Sequence, residues 1–144
     1  MSYKLGIIGS RVSTLKGQVW NPKITNPREF VFNHMDQYVA KYGKPSKVYS
    51  GGAEGADTFG VEWADSKGIP VKKYPPSQDL IREYIKQGDS RKFAYKKAAN
   101  LRNTDIVNSS DRVVAFWDKK STGTLDTLTK PETAKKQINV FNVG

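Results

Sequence analysis

The sequence predicts an α/β protein built on a mostly parallel sheet of about five strands, with helices covering both faces. Three observations carry this prediction. Short apolar runs alternate with segments whose apolar residues recur at helical spacing, and parallel neighbours require such crossovers. Three of the apolar runs end in turns rich in glycine or hydroxyl residues, Gly9-Ser10, Gly51-Gly52 and Ser121-Thr122-Gly123. The chain has 144 residues, close to the size of about 150 typical of one domain, and it shows no internal repeat or linker, so residues 1–144 are read as a single domain.

The elements follow in order. Tyr3 to Ile8 is an apolar run ended by Gly9-Ser10, the pattern of a buried strand and a tight turn. Arg11 to Thr25 is polar and aperiodic and is read as a loop. Asn26-Pro27-Arg28-Glu29 combines an N-cap, proline at the first helical position and glutamate at N3. Val31, Met35, Tyr38, Val39 and Tyr42 then recur at helical spacing until Gly43 closes the helix. Lys47 to Ser50 is a second strand, followed by Gly51 to Gly55 and a helix facing inward through Ala56, Phe59, Gly60, Trp63 and Ala64, with Gly68 as its stop.

Val71 to Tyr74 is a third strand, halted by Pro75-Pro76. The basic stretch after it has helical periodicity through Phe93, Lys97, Ala98, Leu101 and Ile106. Arg112 to Trp117 is the most strand-like run of the chain. The last helix is expected to begin near Gly123-Thr124 and to pack through Leu125 and Leu128, and Pro131 either kinks it or ends it and starts another turn. Ile138 to Val143 is the final strand.

Composition excludes several chemistries. There is no cysteine and the single histidine is His34, which removes disulfide frameworks, thiol nucleophiles, Cys-ligated metals and any mechanism needing two imidazoles; no metal and no cofactor is expected. No apolar run approaches the roughly 18 residues of a membrane span, so a cytoplasmic protein without a membrane partner is expected. The net charge of +10 points to an anionic partner. Half of it sits between Leu80 and Arg102, where seven cations face Glu83 and Asp89 for a net +5. That segment is either a solvated helix face or a surface for single-stranded nucleic acid, with Phe93 and Tyr95 as stacking residues.

Three segments fall at the C-terminal ends of predicted strands and therefore along one sheet edge: Gly9-Ser10-Arg11, Gly51 to Asp57, and Asp118 to Thr124. Glycines admit close approach of backbone to an anion, and free amides at a helix start hold phosphate. The glycine spacing is not that of a dinucleotide fingerprint, and no Walker Lys-Ser/Thr pair is present.

At these residues the chain resembles a known family. Gly-Ile-Ile-Gly-Ser-Arg (6–11), Ser-Gly-Gly-Ala-Glu-Gly-Ala-Asp (50–57), Arg102-Asn103, and Ala-Phe-Trp-Asp-Lys-Lys-Ser-Thr-Gly-Thr (115–124) resemble the SLOG superfamily, which unites the Smf/DprA DNA-processing proteins with the Lonely-guy (LOG) phosphoribohydrolases. Its small YspA-like branch, related to the YpsA proteins, is the nearest in pattern. The resemblance implies a Rossmann-like three-layer sandwich that binds a nucleotide or nucleotide-derived ligand over the sheet edge. Carried over residue by residue, it implies ligand contacts from Gly9, Ser10, Arg11, Gly51, Gly52, Ala53, Gly55, Asp57, Arg102, Asn103, Asp118, Ser121, Gly123 and Thr124. Three positions depart from the branch pattern: Ala99 and Lys119 stand where glycine is usual, and Ile106 where methionine is usual. Lys119 either adds a phosphate contact or narrows the site.

Asp57, just past the glycines, is read as a helix-start carboxylate, as a contact to a ribose hydroxyl, or as a catalytic carboxylate assisting glycosidic cleavage as in LOG-like enzymes, which carry a Glu after a loop one residue shorter. Arg11 and Arg102 are candidate phosphate forks, with surface ion pairing as the plainer role. Trp117 and Tyr74 are more simply core residues than base-stacking ones, and His34 has no expected role in chemistry. Three functions remain open: a binding module or sensor for a nucleotide-derived ligand, a nucleoside 5'-monophosphate N-glycosidase using Asp57 or Glu62, and DprA-like binding of single-stranded nucleic acid. Self-association into a homo-oligomer is also left open.

Overall fold

A computed structural model describes residues 2–52 and 54–144. Five strands form one parallel sheet: β1 (Lys4–Gly9), β4 (Lys47–Ser50), β5 (Val71–Lys73), β6 (Arg112–Trp117) and β7 (Gln137–Asn142). Their spatial order is β5-β4-β1-β6-β7, and every neighbouring pair runs parallel. The chain therefore winds outward from β1 to one edge, returns to the centre, and winds outward again. Between β1 and β6 the direction of winding reverses, and in such sheets the loops beyond the strand ends part at that point and leave a crevice.

The helices lie on both faces, as a parallel sheet requires. Helices α1 (Pro27–Tyr42) and α2 (Ala56–Ser66) cover one side, where Leu5, Ile7, Val48, Val114 and Phe116 meet Val31, Met35, Tyr38 and Trp63. On the other side Ile8, Tyr49, Val113 and Ala115 meet Ile106 and Val107 of α4 (Arg91–Ser109). Alternate residues of β1 and β6 thus serve opposite layers, the period-two pattern of strands buried on both faces. Helix α3 (Gln78–Lys86) packs on the outside of α4 through Ile81 against Ala94 and Ala98. Two short helices, α5 (Thr122–Leu128) and α6 (Pro131–Ala134), complete that layer. Pro131 starts α6 at its first turn, the second of the two outcomes expected for it. Among the described residues, no helix is long and apolar enough to cross a membrane.

Local signals placed α1 well. The Asn26 side chain accepts from the Glu29 amide at 3.0 Å, and the Gly43 amide donates to the Val39 carbonyl at 2.8 Å. Two expectations need correction. The segment 11–25, read as a plain loop, contains a hairpin of two short strands, β2 (Ser13–Thr14) and β3 (Gly17–Gln18), followed by Trp20, which is buried in the core with its Nε1 donating to the Ser10 carbonyl at 3.2 Å. The inward stripe of α4 is Ala94, Ala98, Arg102, Ile106 and Val107, whereas Phe93 and Leu101 are exposed. Close packing of α3 on α4 selects the small alanines and leaves the bulky neighbours outside. Similarly, α5 buries Thr124 and Thr127, and Leu125 faces solvent.

Candidate functional site

The three glycine- and hydroxyl-bearing segments meet beyond the C-terminal ends of β1, β4 and β6. Between them and α4 lies a cleft of about 740 Å³, within the range of about 300–1,000 Å³ that small-molecule sites occupy. Of the residues carried over from the resemblance, Gly9, Ser10, Arg11, Asp57, Arg102, Asn103, Ser121, Gly123 and Thr124 line it. Gly51, Gly52, Gly55 and Asp118 lie beside the cleft without lining it. Ala53 falls outside the described residues.

Those neighbours hold the walls in place. Asp118 follows β6 and turns its carboxylate back on its own loop. Its Oδ1 accepts from the amides of Ser121 at 2.8 Å and Lys120 at 3.0 Å and from the Ser10 hydroxyl at 3.1 Å. The Asp118 amide in turn donates to Ser10 Oγ at 3.2 Å, so the ends of β1 and β6 are tied together. Burial pushes the Asp118 carboxyl up, but the amides of Ser121 and Lys120 and the hydroxyls of Ser121 and Ser10 outweigh it and hold the group below the usual aspartate value. Trp117 anchors the same loop, its Nε1 donating to the Ser121 carbonyl at 3.1 Å.

Arg102 is also a builder. It is buried in α4, and its Nη1 donates to the carbonyls of Gly51 at 2.9 Å and Tyr74 at 3.0 Å, while Nε donates to Asn103 Oδ1 at 2.9 Å. One side chain thereby fixes the ends of β4 and β5 to α4, and this explains Gly51: a Cβ there would sit 2.5 Å from Arg102 Nη1. Gly55 serves a crossing of chains. Its φ is +98°, and a Cβ would lie 2.8 Å from the Ser10 carbonyl oxygen. The space beside Gly55 is filled by the protein's own backbone, where the sequence suggested an approaching phosphate.

The ring of Tyr74 stacks on Tyr49 with centroids 5.8 Å apart, and its hydroxyl lies 2.9 Å from Ser109 Oγ, which makes it a packing residue. His34 is stacked on Phe30 at 4.0 Å, with Nδ1 2.8 Å from the Phe30 carbonyl oxygen, on the α1 side of the sheet. Glu62 is held in an ion pair with Arg28 and does not line the cleft.

The sequence pointed to Asn103 as a ligand contact and to Tyr95 and the cations around it as a nucleic-acid surface, but it did not bring them together in this cleft with Ala99 and Asn100. One face of α4 presents Lys92, Tyr95, Lys96, Ala99, Asn100 and Asn103, all at helical spacing. The hairpin adds Thr14, Leu15 and Lys16. Among the described residues, Arg11, Lys16, Lys92 and Lys96 belong to none of the ion pairs found, and Asp57, in the first turn of α2, is the one carboxylate residue that lines the cleft. The site therefore has a strong cationic excess, an aromatic ring and several neutral polar groups. The basic count between Leu80 and Arg102 was the available signal for the α4 wall. Nothing in the loop 11–25 marked the hairpin.

No protein-family model matches the chain, and no curated protein matches it. Among solved structures, the chain is similar to DNA processing protein A from Helicobacter pylori, a structure described for its single-stranded DNA binding mode. The two superpose with a TM-score of 0.58 at 23% sequence identity, over 95% of this chain and 64% of that one. The likeness is one of fold: both share the α/β architecture, and this chain corresponds to less than two thirds of the other protein.

Proposed function

We propose that the chain binds a nucleotide or nucleotide-derived ligand in the cleft where the winding of the sheet reverses, as a binding module or sensor. The observation that carries this reading is the set of four cations, Arg11, Lys16, Lys92 and Lys96, that line one cleft outside any ion pair found among the described residues. Guanidinium and ammonium groups left this way repel one another and gain when an anion enters. Ser121, Gly123, Thr124 and Asn103 supply hydrogen-bonding groups for an uncharged sugar. The four motifs that resemble the YspA-like branch support the same reading.

A second reading, binding of single-stranded nucleic acid, is favoured by one further observation. Lys92, Tyr95 and Lys96 share a face of α4, which is the combination of cations and stacking ring that strand-binding proteins use. The similar DNA processing protein A is described as a binder of single-stranded DNA. Turnover is the weakest of the three, because a glycosidase needs a second acid beside Asp57, and Glu62 is spent on Arg28.

A thermal-shift screen of nucleoside mono-, di- and triphosphates, followed by calorimetry and chromatography of each binder, tests the proposal. The expected result is a stabilising nucleotide that is recovered intact after long incubation. Release of free base, suppressed by Asp57→Asn, would move the protein into the glycosidases. Stabilisation by single-stranded DNA but by no mononucleotide would favour the second reading.

A further inference from the structure

The hairpin β2–β3 is unusual in what it exposes. All residues from 13 to 18 face solvent, and Leu15 at the tip is 109% exposed, as open as a leucine in an extended peptide. Its base is nevertheless fixed. The Val19 amide donates to the Val12 carbonyl at 2.8 Å, the Trp20 amide reaches the same carbonyl at 3.2 Å, and Trp20 itself is buried. A firmly rooted arm therefore carries an apolar residue out of the core and along the cleft, where Leu15 is part of the lining.

A second half-open apolar surface lines the same cleft. Tyr95 on α4 is 40% exposed, and it also borders a smaller groove of about 230 Å³ together with Ile81 and Ile85 of α3. The cleft thus combines two demands. Its four cations ask for an anion, while Leu15 and Tyr95 offer a leucine and an aromatic ring to an apolar or flat body. A sugar phosphate or inorganic phosphate answers only the first demand. A nucleobase joined to a phosphate answers both.

Resting on the nucleotide reading above, we infer that Leu15 and Tyr95 are the base-recognition residues of the cleft and set its preference for nucleoside phosphates over sugar phosphates. Stacking of a base on the Tyr95 ring, and apolar surface of Leu15 covered by the base, are each worth enough that truncating one contact lowers affinity by about tenfold. Phosphate affinity, by contrast, resides in the cations. The two functions are carried by different side chains and separate by mutation.

The experiment compares four nucleoside 5'-monophosphates with ribose 5-phosphate by calorimetry, using the full chain and the variants Leu15→Ser, Tyr95→Ser and Arg11→Ala. Leu15 is fully exposed and loses no packing, and unfolding temperatures check that each variant is folded. The expected result is about tenfold weaker binding of at least one monophosphate in Leu15→Ser and in Tyr95→Ser, with ribose 5-phosphate affinity unchanged, whereas Arg11→Ala weakens both classes of probe. Equal losses for both probes in the two variants, or no loss for either, would overturn the base-recognition role while leaving the cleft as a phosphate site. Failure of every probe to bind the parent protein would overturn the nucleotide reading and this inference with it.

Discussion

Lys119 has a φ of +67°, the one positive value at a non-glycine residue among those described. In this left-handed region the Cβ crowds the following carbonyl, a cost of about 1–2 kcal/mol. Glycine, which the sequence resemblance implied for this position, adopts such a φ without strain. Lys119→Gly is expected to stabilise the fold by up to about 1 kcal/mol, part of the relief being offset by the greater freedom of glycine when unfolded, and a thermal unfolding curve reads it directly. Lys119 does not line the cleft, so the same variant should keep its ligand affinity. Asp118 makes a separate prediction, on pH. Its folded carboxyl titrates below the ordinary value of 3.8, so the hydrogen-bonded loop contributes its stability above that value and loses it as the pH falls through the lower, folded one. Asp118→Asn should cost about 1–3 kcal/mol near neutrality and flatten the acid limb of a stability–pH profile. An unchanged acid limb would mean that other carboxylates carry it.

At the level of elements, legibility followed how local the signal was. Helix α1 was readable because its cap, its proline and its closing glycine are all contiguous with it. Strand β6 was readable because a run of Val113 to Phe116 has no competing helical pattern. Helix α4 was found with part of its inner stripe: Ala98 and Ile106 face inward as read, whereas hydrophobicity also favoured Phe93 and Leu101, and the packing of Ile81 of α3 instead selects Ala94 beside Ala98. Arg102 looked like a cation for a phosphate and became a bracket for the carbonyls of Gly51 and Tyr74, which only the spatial meeting of β4, β5 and α4 could reveal. The observed orientation of α4 brings Lys92 and Lys96 to the cleft. It predicts that affinity for a single-stranded oligonucleotide falls with salt, and that Lys92→Ala and Lys96→Ala each lower the magnitude of the log–log slope by about 0.7. A slope indifferent to both substitutions would leave those lysines as solvating charge.

For the molecule as a whole, the convergence of the three loops on one cleft was legible because a parallel sheet sends all its strand ends to one edge. The lining was only partly legible, because which loop residues face inward depends on contacts such as Ser10 with Asp118 and Gly55 with the 10–12 backbone. Trp117 turns that architecture into an instrument. The chain has three tryptophans; Trp20 and Trp63 are sealed in the core, while Trp117 is partly exposed and its indole is bonded to the carbonyl of cleft residue Ser121. With Trp20→Phe and Trp63→Phe in place, the remaining emission comes from an indole attached to the cleft wall, so its wavelength or intensity should shift as a nucleotide saturates the protein. The protein thus carries its own optical probe of occupancy, and a titration needs no added label; emission that stays flat while calorimetry records saturation would place the ligand away from the Ser121 side of the cleft.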